Sequence, residues 1–326
     1  MSLVILSKAS ALEIEATCSA GYDSNPALDP NGEEGLSLAI YALEIYHLFF
    51  LPFSLETEFL LSGLYRDYSE IEDNFQGGAS LETRCSFFQQ RLVPSVMFAF
   101  DLYRDKIIEE DEKNSYTVDV GARYILNSQL MFGLSSVWRW DRYVNDIDAT
   151  DDIEANSLFR RARGGYGGNG YGGGGGGTGG QTSSNTAGSS FYSSDSGVEN
   201  YLHTLSFSLN VQPKRYFYSD FIYRRSRLSS NEYTSEEFII SPTLIAPKDI
   251  IISMWASLIE YSYQSIQELD YARPEQEIYV SIHVKRRFKW ITPFILLSWE
   301  EGDLISPFTE KYYQKKVIEC GISVSF

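Results

Sequence analysis

Long apolar runs are missing from this sequence. No stretch approaches the roughly 20 residues that a membrane-spanning helix requires, and residues 46–53, among the longest, are interrupted by His47 and Pro52. Cysteine is scarce too: three residues with no close spacing exclude a disulfide scaffold and a cysteine-rich metal site. Histidine is as rare, and His47, His203 and His283 lie too far apart in sequence to suggest a metal-binding pair. His-centred acid–base catalysis needs a nucleophile or carboxylate beside the ring, and no such motif is present. No enzymatic activity, metal or cofactor is expected. Basic residues are outnumbered 27 to 44, for a formal net charge of −17, which excludes a general nucleic-acid partner.

Aromatic residues are plentiful, at 15% of the chain with 23 Tyr, 20 Phe and 5 Trp. Tyr and Trp are favoured where one edge of a ring is apolar and the other wet, as at both faces of a membrane. The apolar residues follow a period of two, the signature of strands. Ile14, Ala16, Cys18, Ala20 and Tyr22 alternate with Glu13, Glu15, Thr17, Ser19 and Gly21. Leu205, Phe207 and Leu209 alternate with Ser206, Ser208 and Asn210, and Ile318, Cys320, Ile322 and Val324 with Glu319, Gly321 and Ser323. Strand centres are expected near residues 17, 41, 60, 83, 99, 120, 136, 205, 220, 240, 256, 281, 295 and 321.

A soluble sandwich alternates as well, so the connections decide. After even-numbered strands they are short and turn-like: 126–129, 212–215, 246–249 and 286–289. After odd-numbered strands they are mostly longer and polar: 23–34, 69–78, 105–113, 144–197, 264–275 and 301–313. Segregation of loop length by strand parity is the asymmetry of a transmembrane barrel, and a sandwich has no reason to show it. The expected fold is all-β, a closed antiparallel transmembrane β-barrel of about 14 strands with both termini at the short-turn end.

Aromatics collect where strands should cross an interface. Tyr22, Tyr65, Tyr103, Tyr116, Trp138, Trp140, Tyr201, Tyr223, Phe238 and Trp299 lie toward the long-loop end. Phe87, Tyr124, Phe217, Trp290 and Phe326 lie toward the short turns. The alternating close Gly321-Ile322-Ser323-Val324-Ser325-Phe326 resembles the terminal assembly signal of bacterial outer-membrane barrels. That resemblance, porin-like and covering the chain from about Leu12, implies location in the outer membrane of a Gram-negative cell. It also implies recognition by the barrel-assembly machinery through the C-terminal strand. A narrower likeness lies in Gly21-Tyr22-Asp23-Ser24-Asn25-Pro26, which resembles the opening of barrels from exopolysaccharide-export and surface-assembly systems.

Two segments fall outside the strand pattern. Residues 1–11 end in the small-x-small triplet Ala9-Ser10-Ala11 and read as the remnant of a signal peptide, with the barrel occupying 12–326. Residues 144–197 form a long insertion, acidic at 145–154, basic at Arg160, Arg161 and Arg163, then Gly-, Tyr-, Ser- and Asn-rich over 164–194. No Gly-Lys-Ser/Thr follows its glycines, so it is read as an extracellular loop and not a phosphate cradle. The acidic stretches 29–34, 70–74 and 109–114 read as solvated loop charge in place of Ca²⁺ sites.

The strand phase predicts a lumen lined by Glu13, Glu15, Glu58, Glu82, Arg84, Asp119, Arg123, Arg139, Asp220, Arg224 and Lys285. Charge of both signs is costly in lipid and tolerated in a wet interior. Two functions fit: a channel for small polar solutes or an exported polymer, and a structural anchor or sheath. The second would bind protein partners at its loops or in its lumen, in an export or electron-transfer assembly. The pattern also predicts a β-bulge near Ala42–Leu43, where the second strand's phase switches, and bulges at Pro242 and Pro293. Cys18 and Cys320, both of lipid-facing phase, should lie opposite each other across the closing seam as inert thiols, not as a disulfide.

Overall fold

A computed structural model describes residues 11–24, 35–51, 55–69, 74–105, 112–144, 199–228, 233–263, 273–305 and 311–326. Fourteen strands form one closed antiparallel barrel in which each pairs with its sequence neighbours and β1 closes on β14. In chain order they are β1 Ala11–Asp23, β2 Leu36–Leu51, β3 Leu55–Tyr68, β4 Asn74–Cys85, β5 Leu92–Asp105, β6 Lys113–Asn127 and β7 Leu130–Tyr143. After these come β8 Glu199–Lys214, β9 Phe217–Leu228, β10 Tyr233–Ala246, β11 Ile250–Tyr263, β12 Arg273–Arg286, β13 Ile291–Ile305 and β14 Lys311–Ser325. Every expected strand centre falls inside a strand. Ala11, assigned above to the leader remnant, opens β1 opposite Leu48; residues 1–10 and 145–198 lie outside the described residues.

Alternation separates two faces. The outward face carries large apolar side chains, with Phe98, Leu134, Phe207, Ile295, Ile318 and Ile322 each more than half exposed. A patch this extensive on a soluble monomer would be an aggregation hazard, whereas in a bilayer it is the lipid contact. Tyr22, Tyr65, Tyr116 and Phe238 cap this belt at one end, and Tyr124, Trp290 and Phe326 at the other, all substantially exposed. One aromatic expected in the girdle is on the wrong face: Tyr103 pairs with Gln76 and Lys113 and points into the barrel.

Tight turns join even strands to odd ones. Lys248 and Asp249 adopt φ of 66° and 58°, Phe88, Gln89 and Gln90 take φ of 50°, 59° and 69°, and Lys289 has φ of 35°. Positive φ at the tip matches the turn's twist to the right-handed twist of its strands. Asn127 Oδ1 accepts a hydrogen bond from Gln129 N at 2.8 Å, closing the β6–β7 turn. The termini meet at this same end, where Phe326 N donates to Ile14 O at 2.9 Å and Ile14 N to Phe326 O at 3.2 Å.

The expected bulges are absent. β2 keeps an unbroken register with both β1 and β3 through Ala42 and Leu43. What looked like a phase switch is an apolar inner wall: Leu36, Leu38 and Ile40 face inward and pack with Tyr68 and Leu64. At Pro242 the ladder to β11 skips Ser241 and Pro242 and resumes in the same register, while pairing to β9 continues. Pro293 pairs with Ile322 without a shift and sits just beyond the end of the β12 ladder. A proline without an N–H is accommodated by a missing rung and needs no extra residue. Register shifts occur elsewhere, between Pro274 and Gln276, Ile125 and Asn127, and Val211 and Lys214.

Across the seam, Cys18 pairs with Ile322 and Ala20 with Cys320. The two cysteines are therefore diagonal neighbours offset by two residues, not opposite partners, and both are free and exposed on the outer face. The inner face of the seam is tied by polar contacts: Ser323 donates to Glu15, Ser19 donates to Glu319, and Lys315 Nζ meets Asp23 Oδ2 at 2.9 Å.

Barrel interior as the candidate functional site

Closure of an alternating sheet puts one residue in two on the inside, so the inner surface follows from register alone. All eleven residues predicted to line the lumen share the inward phase. Glu13 lies opposite Tyr46, Glu58 opposite Glu82, Asp119 opposite Met97, Arg123 opposite Val93, and Lys285 opposite Phe294.

These residues assemble into distinct clusters. Directly opposed carboxylates at Glu58 and Glu82 would repel, and Arg84 lies between them, its Nη2 2.8 Å from Glu58 Oε2 and its Nε 2.9 Å from Glu82 Oε1. Toward the long-connection end, Asp141 receives Arg139 Nε at 2.6 Å and Lys113 Nζ at 3.6 Å, while Arg139 Nη2 donates to Ser115 Oγ at 3.1 Å. Arg224 and Glu237 form a buried pair at 3.1 Å. Asp220 accepts from Asn210 Nδ2 at 2.7 Å. One strand further on, across Ile259 of β11 from Glu237, Tyr261 OH donates to Glu277 Oε2 at 2.7 Å, and Tyr313 OH lies 3.0 Å from both Glu277 Oε1 and Glu300 Oε1. A phenol has one proton to give, so Glu277 and Glu300 compete for that of Tyr313.

Several of these groups went unrecognised in the sequence. Lys113 falls in the expected connection 105–113, Glu277, Glu300 and Lys315 lie at strand tops just outside the connections 264–275 and 301–313, and Glu44 is masked by the apparent phase switch in β2. Carrying the period of two outward from each alternating core as far as its connection places the first four on the inner face.

Burial divides the interior. Toward the long connections Asp23, Leu38, Ile40, Tyr68, Lys113, Asp141, Leu202, Leu228, Glu300 and Tyr313 are buried. Toward the short turns Glu44, Glu58, Glu82, Arg84, Arg123, Asp220 and Lys285 are only partly so. The exception is the wall around the seam, where Glu15, Phe294 and Ser323 are buried down to the short-turn end. Inward side chains are thus more closely packed beside the long connections, and along β2–β9 less closely packed toward the short turns.

Catalytic geometry is sparse. Ser136 Oγ and His203 Nε2 lie 2.8 Å apart on the outer wall, with the imidazole stacked on Trp138. Among the described residues no carboxylate contacts His203 to orient it as a base. Among the same residues no group of three His, Cys, Asp or Glu side chains could hold a metal ion.

No protein-family model matches the chain, and no curated protein does. Solved structures do match over nearly its whole length. An anion-selective porin from Comamonas acidovorans superposes with a TM-score of 0.53 at 7% identity, covering 98% of this chain and 99% of that one. A bacterial polysaccharide outer-membrane secretin gives 0.46 at 9% identity over 97% and 98% of the two chains. An outer-membrane channel from Pseudomonas putida F1 gives 0.42 at 10% identity over the full length of both. The fold is that of the porin-like outer-membrane β-barrels.

Proposed function

We propose that this outer-membrane barrel is a porin-like channel for small polar solutes that prefers cations. The observation that carries the reading is the acidic excess of the inner face. Glu13, Glu15, Asp23, Glu44, Glu56, Glu58, Glu82, Asp101, Asp119, Asp141, Asp220, Glu237, Glu277, Glu300 and Glu319 face inward. Against them stand Arg66, Lys113, Arg84, Arg123, Arg139, Arg224, Lys285 and Lys315. A passage lined by one sign of charge concentrates the opposite ion within it. Asp119 Oδ1, buried and without a hydrogen-bond partner among the described residues, also fits a lumen with water to solvate it. In this reading the long connections, with the 144–197 loop, face outward from the cell, and the strand ending at Phe326 is what the assembly machinery recognises.

The closer packing beside the long connections favours a second reading, a closed barrel serving as an anchor or sheath for export partners. A planar-bilayer recording separates the two. Under a KCl gradient the channel reading expects discrete conductance steps and a reversal potential of cation-selective sign, and Arg84→Gln should raise that selectivity. Absence of conductance in inserted, heat-modifiable protein would establish the anchor, and an anion-selective reversal would refute the charge argument.

A further inference from the structure

The short turns carry charge against the trend of the chain. Acidic residues outnumber basic ones 44 to 27 overall, yet one side of the short-turn rim reverses that sign. Lys214 and Arg215 stand at the β8–β9 turn, Lys248 at the β10–β11 turn, and Arg286, Arg287 and Lys289 at the β12–β13 turn. All six are exposed. None of them forms an ion pair among the described residues. Asp249 is the acidic side chain within these three turns. Asp220, further in on β9, faces the lumen and accepts from Asn210. The carboxyl group of Phe326 lies one strand beyond the arc, where Ser325 N donates to Trp290 O at 3.0 Å.

Backbone bonds join the three turns into one surface, Ile245 N to Tyr216 O at 2.8 Å and Arg287 N to Asp249 O at 3.1 Å. Successive turns are two strands apart, so the arc extends roughly 20 Å at the spacing of paired strands. The neighbouring β6–β7 turn, Ser128 and Gln129, is uncharged and separates Arg91 from the arc. Elsewhere at this end Glu13 on β1 and Glu56 on β3 face the lumen. The basic surface is one-sided. Lipid headgroups surround a barrel and call for a belt of bases, whereas an arc suits a discrete partner. Aromatic rings accompany the charge: Tyr216 is 54% exposed, Phe288 is 45% exposed, and Arg286 Cζ lies 4.4 Å over the Phe288 ring. Arginine beside aromatic residues is the composition of protein–protein contacts, and bases without partners select an acidic one.

We infer that the short turns of β8–β13 dock an acidic segment of a periplasmic polypeptide. Its carboxylates meet Lys248, Arg287 and Lys289, and its apolar side chains meet Tyr216 and Phe288. The inference rests on the proposed orientation, with the short turns in the periplasm, and is independent of whether the lumen conducts.

Fluorescence anisotropy of the full chain in zwitterionic micelles tests it, with a labelled peptide of Glu-Glu-Phe repeats as probe. About 15 residues span the arc at roughly 3.3 Å each. Binding should saturate, and should weaken as salt rises from roughly 0.05 to 0.3 M, because exposed charge contacts are screened. Gln-Gln-Phe repeats should not bind. Lys248→Gln/Arg287→Gln/Lys289→Gln should weaken binding about tenfold, the loss of three modest surface contacts. Arg142→Gln/Arg225→Gln/Lys316→Gln removes the same charge beside the long connections and should change it by less than about twofold, being beyond screening range. Both variants should keep heat-modifiable mobility. Equal weakening by the two variants would reduce the attraction to net charge and overturn the inference. So would an oligouronate of equal charge bound as tightly, which would assign the arc to a polysaccharide, or the absence of saturable binding to the unaltered protein. Orientation is read separately: on intact cells Lys248→Cys should take up no more polymer-linked maleimide than the parent, and labelling there would overturn the periplasmic assignment while leaving the binding result intact.

Discussion

Replacing Gly321 with valine should prevent the barrel from closing, and even alanine there should cost stability out of proportion to one methyl group. Gly321 faces inward on β14 where the last strand meets the first. A Cβ at that position would lie 2.5 Å from Ser19 Cβ, 2.6 Å from the Cys18 carbonyl oxygen and 2.8 Å from Phe294 Cζ. Two of those neighbours belong to β1 and the third to β13, so relief in one direction worsens the contact in the other. Gly21 on β1 is similarly enclosed, with Ile318 O at 2.3 Å from its ideal Cβ. Overpacking of this kind costs about 1–3 kcal/mol for small intrusions and more when backbone must move. Backbone hydrogen bonds hold the seam from Ile14–Phe326 to Ser24–Lys316, so the two strands cannot separate locally without loss of rungs. Urea unfolding in detergent micelles, with heat-modifiable mobility as the readout of closure, makes the comparison. Gly63→Ala is the control, since nothing lies within 4 Å of a Cβ there; it should fall within about 0.5 kcal/mol of the parent. Equal behaviour of the two alanine variants would show that the seam yields freely.

The second large effect is expected at Arg224 and Glu237. Both side chains are over nine-tenths buried, and they meet at 3.1 Å. Their neighbours along the inner face include Ile239, itself 4% exposed, so little water reaches the pair. Arg224→Leu should leave a buried carboxylate without its cation and destabilise the barrel by about 3–5 kcal/mol. The double variant Arg224→Leu/Glu237→Leu should regain most of that, because two apolar side chains of adequate volume replace a pair whose desolvation offset much of its attraction. Unfolding midpoints over the four-member cycle give the coupling directly. A double variant as unstable as the single would mean that the pair's hydrogen bonds, and not its charges, hold this part of the wall.

Strand number, closure and the short-turn end were legible because they rest on period and parity, which any local stretch reveals. The failures share a physical cause. An inward face is expected to be polar, and β2 breaks that rule: Leu36, Leu38 and Ile40 are inward and pack with Tyr68 and Leu64 into an apolar cluster beside the long connections. Apolar residues on both faces then imitate a bulge. Strand ends failed differently. A strand needs only about 9–11 residues to cross hydrocarbon, yet β2 and β8 run to 16 and β13 and β14 to 15. Polar residues in the projecting rungs, among them Glu277, Glu300 and Lys315, lie beyond the alternating apolar cores by which the strands are recognised. The two-residue offset between Cys18 and Cys320 was out of reach altogether. The stagger of a closed barrel is set by the whole circuit of strands, and no local feature of β1 or β14 encodes it.

The uneven packing of the interior has an electrical meaning. In a conducting pore the applied potential drops mainly across the most resistive stretch, which here would be the more closely packed half beside the long connections. Glu58, Glu82 and Asp220 would then sit at nearly the potential of the solution bathing the short turns, while Lys113 and Asp141 lie within the drop. A cationic blocker added from the short-turn side would reach those three carboxylates having crossed little of the field, so its block would depend only weakly on voltage. The same blocker added from the other side would have to traverse most of it.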